Sequence, residues 1–262
     1  MILYFSSTGN SKLLAENLAL FTNDTAYNLV DITTTHTEKI LSHTPRLGFV
    51  FPTYGWDMPV IVSSFFKKIK DLHVNSNFIY VVVTCGDDVG FIDRKINKLF
   101  RNSNIKIDAF FSICMPNTYV CLPGFDVDND KVRRKKLSAF KHCLADIVLN
   151  IKTQNHTTRL KRGLFPFTKT YILGLLFKKI LLTDKYFHTT EDCISCKKCE
   201  NVCPNHNILF KNNRPEWQKN CIGCLSCYHH CPTKAIRFGH QTDHKGQYLI
   251  TAHLNELNPN DN

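Results

Sequence analysis

Eight cysteines near the carboxyl end of the chain fall into two groups with almost the same spacing. Each group has the pattern C-x2-C-x2-C-x3-C and is followed directly by a proline. The first group is Cys193, Cys196, Cys199 and Cys203, and the second is Cys221, Cys224, Cys227 and Cys231. A tight coil that carries thiolates at positions i, i+3 and i+6 can wrap three corners of an iron–sulfur cube. The spacing therefore predicts two [4Fe-4S] clusters and the transfer of single electrons.

Two other uses of clustered cysteines fit the chain less well. A disulfide framework is typical of short secreted chains with roughly 8–10% cysteine, whereas this chain has 12 cysteines in 262 residues. Structural zinc sites usually have two-cysteine knuckles that are separated by a longer spacer. Three cysteines at successive two-residue gaps therefore favour an iron–sulfur cube over both alternatives.

The proline after each fourth cysteine leads that cysteine away from its own coil. The run resembles that of bacterial two-cluster ferredoxins, in which the fourth cysteine ligates the other cluster. On this crossed pattern, cluster 1 is held by Cys193, Cys196, Cys199 and Cys231. Cluster 2 is held by Cys221, Cys224, Cys227 and Cys203.

The first part of the chain alternates between short apolar runs and amphipathic stretches, which predicts strands alternating with helices. The predicted strands cover residues 1–5, 27–31, 47–51, 78–84 and 105–115. The predicted helices cover residues 11–21, 60–72, 91–102 and 128–151. Near-continuous apolar strands separated by helices indicate an α/β fold, a doubly wound five-stranded parallel sheet that is covered on both faces. Ligands of such sheets bind beyond the carboxyl ends of the strands.

The loop after the first predicted strand has a composition suited to phosphate. Its residues are Ser6, Ser7, Thr8, Gly9, Asn10 and Ser11. Hydroxyl groups, a glycine turn and a helix N-terminus can together bind a phosphate without any cationic side chain. The loop has neither the lysine of a P-loop nor the GxGxxG pattern, which favours a terminal phosphomonoester. The alternative is an ordinary helix cap.

Two further loops follow the third and fourth predicted strands. The aromatic loop contains Pro52, Thr53, Tyr54, Gly55 and Trp56, and the small-residue loop contains Thr84, Cys85, Gly86 and Asp87. Small residues let the backbone approach a ligand closely. Together the three loops resemble flavodoxin, with a phosphate loop, an aromatic loop over the flavin face and a glycine-containing loop at the flavin edge. The resemblance implies that they bind FMN.

The whole chain resembles the flavodoxin–ferredoxin fusion proteins of anaerobes. The resemblance implies a flavodoxin-like FMN domain over residues 1–152, a basic and apolar connector over 153–183, and a small α+β two-cluster ferredoxin domain over 184–262, with repeats at about 184–212 and 213–241. It also implies that Tyr119, in the segment MPNTY, lies near the flavin.

One departure from the resembling proteins concerns the potential of the flavin. Where those proteins tend to be rich in glycine, this chain has Asp87 followed by Asp88. Carboxylates that face a flavin disfavour its anionic reduced form and lower its potential, because like charges repel. Carboxylates that face water would change the potential little.

The net charge of +11 is concentrated in residues 131–192, which alone carry +10. Such a basic region can steer an acidic redox partner protein by long-range attraction, and a solvated helix face is the alternative. No recognition motif for nucleic acid accompanies the charge, so we expect none to bind.

The segment 164–187 is apolar but is interrupted by Pro166, Gly174 and the pair Lys178-Lys179. We expect it to pack between the domains, with a weak, surface-lying membrane contact as the alternative. No apolar run approaches the roughly 18 residues of a transmembrane helix, and the start of the chain lacks the basic region of a secretion signal. These features predict a cytoplasmic protein.

Several residues outside these motifs also receive an expectation. Cys85 is expected beside the flavin, and Cys114 and Cys143 in the core. Three histidines near the cluster cysteines are expected to have surface roles, since no cysteine ligand is missing; they are His206, His229 and His230. Three aromatic residues are expected to shield the clusters from water: Phe187, Phe210 and Trp217.

These patterns support one leading hypothesis and two alternatives. The leading hypothesis is an electron carrier that passes electrons between FMN and two [4Fe-4S] clusters, and on to a partner. The first alternative is a flavin-dependent reductase of a small acceptor that uses the ferredoxin part as its donor. The second is a docking module that has lost its flavin. No general base or nucleophile can be recognised in the sequence, so the carrier is favoured.

Overall fold

A parallel six-stranded sheet organises the first part of the chain. The computed structural model describes residues 1–32, 41 and 44–257, without the side chains of 179–181. The strands are β1 (Ile2–Tyr4), β2 (Ala26–Asn28), β3 (Arg46–Pro52), β4 (Phe78–Cys85), β5 (Ala109–Cys114) and β6 (Thr157–Arg159). They are arranged in the order β2-β1-β3-β4-β5-β6, and every neighbouring pair is parallel. The first five strands therefore have the flavodoxin-like order 2-1-3-4-5.

Helices cover both faces of the sheet, as the apolar strands require. They are α1 (Asn10–Thr22), α2 (Val60–Ile69), α3 (Ile92–Phe100) and α4 (Asp130–Lys152). All eight residues of β4 are buried, because its side chains meet one core on each face. The predicted doubly wound parallel α/β fold is thus confirmed.

The sheet differs from the prediction in its last two strands. The fifth strand begins at Ala109 and not at residue 105. Before it, the side chain of Asp108 accepts a hydrogen bond from the backbone of Ile79 (2.8 Å). The unpredicted β6 pairs with β5 and has the sequence TTR. Its three residues are too short and polar to give a strand pattern, so only tertiary pairing defines it.

The chain after β6 wraps around the loop that follows β4. The backbone N–H of Val89 donates to the carbonyl of Lys161 (2.9 Å), and that of Phe91 donates to the hydroxyl of Thr170 (2.8 Å). A π-helical segment, Thr168–Leu173, then continues into α5 (Gly174–Leu181). Within the described residues, no helix has both the length and the apolar character needed to cross a membrane.

The cysteine-rich part is a small α+β unit with its own core. Its elements are β7 (Phe187–Thr189), α6 (Lys198–Asn201), β8 (Ile208–Lys211), β9 (Arg214–Trp217), α7 (Ser226–His230) and β10 (Ile236–Phe238). Two antiparallel pairs, β7 with β10 and β8 with β9, frame the cysteine loops. The core combines aromatic side chains with several of the cysteines.

The segment after β10 returns to the parallel sheet and fixes the two parts together. The hydroxyl of Tyr248 donates to the side-chain oxygen of Asn10 (2.9 Å), and the backbone N–H of Ile250 donates to the carbonyl of Thr8 (3.1 Å). Arg133 on α4 makes two hydrogen bonds to Glu256, at 2.9 and 3.1 Å. The segment therefore packs against the first loop and stabilises its position.

The tight packing of the sheet predicts the effect of adding one methyl group. We expect Gly48→Ala to lower stability by about 1–3 kcal/mol, because the new Cβ would collide with the buried ring of Tyr80. Thermal unfolding followed by circular dichroism should show a lower Tm. The control is Lys141→Ala, on the exposed face of α4, which should change the Tm little. Equal Tm values for both variants would contradict this packing.

Candidate functional site

A cavity lies at the carboxyl ends of β1, β3 and β4. Thirteen of the sixteen residues predicted for a flavin line it: Ser6, Ser7, Thr8, Asn10, Ser11, Pro52, Thr53, Tyr54, Gly55, Thr84, Cys85, Gly86 and Tyr119. The parallel sheet has therefore brought the three predicted loops and the segment around Tyr119 to one place.

Three predicted residues do not line the cavity. Gly9 adopts a left-handed conformation (φ 95°), and a side chain there would collide with Ile250. The ring of Trp56 lies 5.7 Å from the ammonium group of Lys169, outside the cavity. Asp87 is exposed to solvent. Trp56 therefore lies outside the lining of this cavity, and its contact with a flavin stays a prediction.

The first loop presents the N-terminus of α1 to the cavity. No side chain caps this end of the helix, and its first turn has no acidic residue. Hydrogen bonds between side-chain hydroxyls fix two hydroxyl groups of this loop. The hydroxyl of Ser7 is hydrogen-bonded to that of Tyr54 (2.9 Å), and the hydroxyl of Ser11 to that of Thr84 (2.7 Å). Uncapped N–H groups beside fixed hydroxyls suit a phosphate.

Asn10 has a structural role within this loop. Its side-chain amide donates to the carbonyl of Pro116 (3.0 Å), and its oxygen accepts from Tyr248 (2.9 Å). Asn10 thus connects the first loop, the segment around Tyr119 and the segment after β10. Its side chain is committed to these two contacts.

Three aromatic side chains line the cavity, and one of them comes from the connector. Phe177 on α5 lies with its ring centroid 5.2 Å from that of Tyr119. A side chain on Gly55 would come within 2.6 Å of the Phe177 ring, so the glycine allows this close approach. Tyr54 is the third aromatic residue. Sequence reasoning missed Phe177, because it lies far along the chain and no spacing links it to the three loops.

The hydroxyl of Tyr119 is a buried polar group that lacks a hydrogen-bond partner within the described part of the protein. Burial raises the pKa of this phenol, so it stays neutral and can donate. A buried hydroxyl without a partner costs free energy. Its place in the cavity wall therefore points to a ligand with a hydrogen-bond acceptor.

Helix α5 is held over the cavity by a buried ion pair network. Asp57, which is 4% exposed, lies 2.6 Å from the ammonium group of Lys95 and 2.7 Å from that of Lys178. Its other oxygen accepts from the backbone of Met58 (2.8 Å). Since Lys178 follows Phe177 directly, the pair with Asp57 fixes the position of that ring.

The two consecutive aspartates have separate environments. Asp87 faces solvent, and the carboxylate of Asp88 is paired with Lys169. Neither carboxylate lines the cavity. The charge of one is screened by water and that of the other is neutralised, so we expect them to change the potential of a bound flavin little.

Two smaller cavities are each lined by four cysteines. The cysteines of the first cavity are Cys193, Cys196, Cys199 and Cys231. Those of the second are Cys203, Cys221, Cys224 and Cys227. Each cavity thus takes three cysteines from one sequence group and the fourth from the other. A set of four thiols is the usual donor set of a [4Fe-4S] cluster.

Aromatic residues also line the cysteine cavities. Phe210 lines the first, while Phe187 and Trp217 line the second and stack with their centroids 5.5 Å apart. The indole N–H of Trp217 is buried and has no partner among the described residues.

The more deeply buried thiols of these cavities favour their protonated forms. Burial raises the pKa of Cys199 and of Cys221 to about 11, and that of Cys224 to about 12. Metals bind cysteine as thiolate, so ligation has to displace these protons.

The large cavity and the second cysteine cavity share a wall. Gly223, Cys224 and Leu225 line the large cavity, and Cys224 and Leu225 also line the second cysteine cavity. The hydroxyl of Ser226 lies 3.4 Å from the carbonyl of Ser7, directly beside this wall. Cys224 therefore lies between the large cavity and the second cysteine cavity.

Two expectations about single residues are wrong. His229 is buried: Nε2 donates to the carbonyl of Thr118 (2.7 Å) and Nδ1 accepts from the backbone of Tyr248 (3.2 Å). Burial lowers the pKa of His229 to about 4, so the neutral ring fills both roles. Cys143 is exposed on α4 and does not lie in the core.

The comparisons with known proteins agree with this division of the chain. Residues 192–236, which contain all eight array cysteines, match the family model of the 4Fe-4S dicluster domain. No curated protein matches the chain.

Solved structures resemble the first part of the chain at low sequence identity. The flavodoxin of Streptococcus pneumonia TIGR4 is 16% identical, with 56% of this chain and 97% of that chain covered and a TM-score of 0.36. A Fusobacterium nucleatum flavodoxin bound to flavin mononucleotide is 12% identical, with 59% and 96% covered and a TM-score of 0.40. The fold assignment rests on the strand order of the sheet.

The chain thus joins a flavodoxin-like sheet to a 4Fe-4S dicluster domain, as in a flavodoxin–ferredoxin fusion. A dicluster domain implies two clusters, and these transfer single electrons. Electron transfer is therefore the function that the matched dicluster domain implies.

The ion pairs of Asp57 predict a local effect on the connector. We expect Asp57→Ala to release α5, because it leaves the ammonium groups of Lys95 and Lys178 partly buried without a counter-charge. Limited trypsin digestion should then cleave the connector at least severalfold faster. The control is Glu16→Ala, which removes an exposed pair with Lys12 (3.7 Å) and should leave the digestion rate unchanged. Equal rates for both variants would contradict the role given to Asp57.

Proposed function

We propose that the protein is an electron carrier that passes electrons between FMN and two [4Fe-4S] clusters, and on to an acidic redox partner. The observation that carries this proposal is the position of Cys224, which lines both the large cavity and the second cysteine cavity. A ligand in the large cavity would lie directly against a cluster ligand.

The features of the large cavity support FMN as its ligand. The N-terminus of α1 and the hydroxyls of the first loop would hold the phosphate group. Tyr54 and Phe177 would pack against the ring system, and the hydroxyl of Tyr119 would donate to one of its acceptor atoms. FMN supplies a centre that exchanges one or two electrons. The enclosing side chains would exclude water from it.

The cysteine cavities support crossed ligation of the clusters. Cluster 1 would be held by Cys193, Cys196, Cys199 and Cys231. Cluster 2 would be held by Cys203, Cys221, Cys224 and Cys227. Each cluster then exchanges one electron, so the two clusters together match the two-electron capacity of the flavin.

The exposure of the cysteine loops supports an order for the electron path. Cluster 2 shares Cys224 with the large cavity, whereas no ligand of cluster 1 lines that cavity. Cys196 is exposed, and so are its neighbours Ile194, Lys197 and Lys198. We therefore assign cluster 1 to the exchange of electrons with the partner. Basic residues beside an exposed apolar side chain suit an acidic partner surface.

Anaerobic reconstitution tests the cofactor content. We expect about eight iron atoms and one FMN per chain. Tyr119→Phe should weaken FMN binding about 3–10-fold, because it removes one hydrogen bond worth about 0.5–1.5 kcal/mol; quenching of FMN fluorescence measures the Kd. Tyr27→Phe, which changes an exposed tyrosine, is the control. A flavin-free protein, or an unchanged Kd for Tyr119→Phe, would contradict the proposed site.

Four cysteine variants test the crossed ligation. The spectrum of Cys203→Ser should match that of Cys221→Ser, because both changes remove a ligand of cluster 2. The spectrum of Cys231→Ser should likewise match that of Cys193→Ser. Electron paramagnetic resonance of the reduced, reconstituted proteins makes the comparison. If Cys203→Ser instead matches Cys193→Ser, each repeat holds its own cluster and the crossed assignment is wrong.

A further inference from the structure

Two cysteines outside the cluster array lie side by side at the edge of the large cavity. Cys85 ends β4 and Cys114 ends β5, and the two residues are direct partners in the register of these parallel strands. Their sulfur atoms are 3.9 Å apart. Neighbouring strands lie about 4.7–4.9 Å apart, which is within the Cα separation that a disulfide bond accepts.

A lysine provides a counter-charge for one of the two thiols. The ammonium group of Lys161 lies 3.4 Å from the sulfur of Cys114. The backbone of Lys161 is fixed at both ends, since its N–H donates to the hydroxyl of Ser112 (2.7 Å) and its carbonyl accepts from Val89 (2.9 Å). The position of the charge is therefore set by the backbone around the sheet.

The two thiols differ in accessibility and in acidity. Cys85 is 5% exposed, whereas Cys114 is only partly buried. The hydrogen bond from Cys85 lowers the pKa of Cys114 to about 6, and Lys161 adds to this effect, although burial opposes it. The same hydrogen bond and burial raise the pKa of Cys85. Cys114 is thus the accessible thiolate and Cys85 its protonated neighbour.

We propose that Cys85 and Cys114 form a thiol–disulfide redox pair, in which Cys114 reacts with a low-molecular-weight disulfide and Cys85 resolves the product. The thiolate of Cys114 attacks one sulfur of the small disulfide, so that a mixed disulfide forms and one small thiolate leaves. The thiol of Cys85 then loses its proton and attacks the Cys114 sulfur. This step forms the bond between the two cysteines and releases the second small thiol. The protein loses two electrons and the small disulfide gains them.

The pair connects this chemistry to the large cavity. Cys85 lines the cavity and Cys114 does not. Formation of the disulfide bond between them would therefore shift the sulfur of Cys85 in the cavity wall. The proposal depends only on the two cysteines and Lys161, and it does not require FMN to be the ligand.

The test uses the full chain, reconstituted with iron so that ligation protects the array cysteines. The protein is treated anaerobically with glutathione disulfide, free thiols are alkylated, and the peptides are mapped by mass spectrometry. We expect a cross-linked peptide that contains Cys85 and Cys114. Cys85→Ser should instead accumulate glutathione on Cys114, and Cys114→Ser should give neither product. The exposed Cys143 is the control, and Cys143→Ser should behave like the unchanged protein.

A second measurement keeps both thiols and changes only the counter-charge. The alkylation rate of Cys114 should be half-maximal at a pH below the ordinary thiol pKa of about 8.5, since the rate follows the thiolate fraction, which rises with pH. Lys161→Met should move this profile to higher pH, so that alkylation below the half-maximal pH slows up to about tenfold for each unit of the shift. Glutathione on Cys143 but not on Cys114, or an unchanged profile for Lys161→Met, would overturn the proposal.

Discussion

The second cysteine loop packs against the carboxyl ends of the parallel strands, and the other features of the molecule follow from this contact. Parallel strands bring their following loops to one edge, and this edge is open unless another element covers it. Here Cys224 and Leu225 cover it, and the hydroxyl of Ser226 meets the carbonyl of Ser7. The same loop that lines the second cysteine cavity therefore closes the large cavity.

Two segments outside the sheet hold this contact in place. The segment after β10 fixes the first loop through Tyr248 and Ile250. The connector supplies Phe177, and its Lys178 is bound to the buried Asp57. Both contacts are made by residues distant in sequence, so the cavity forms only when both parts of the chain have folded. The two halves therefore share the walls of one cavity.

The sequence predicted the elements whose signals are local. The continuous apolar residues of β4 predict a buried strand. The rule that ligands bind beyond the carboxyl ends of parallel strands predicts which loops line the site. Prediction from the sequence fails for elements whose structure is determined by tertiary contacts. Thr157–Arg159 has no strand pattern and pairs only because β5 offers an edge. The cavity lining also depends on tertiary contacts: the ring of Trp56 lies beside Lys169, whereas Phe177, which no local pattern predicts, lines the cavity.

We propose that the second cluster exchanges electrons directly with a flavin in the large cavity. An anaerobic crystal structure of the reconstituted protein, with iron located by anomalous scattering, tests this proposal. We expect two groups of iron peaks, with the group bound by Cys203 and Cys224 nearest to flavin density in the large cavity. Flavin density elsewhere, or a flavin nearest to the group bound by Cys193, would contradict it.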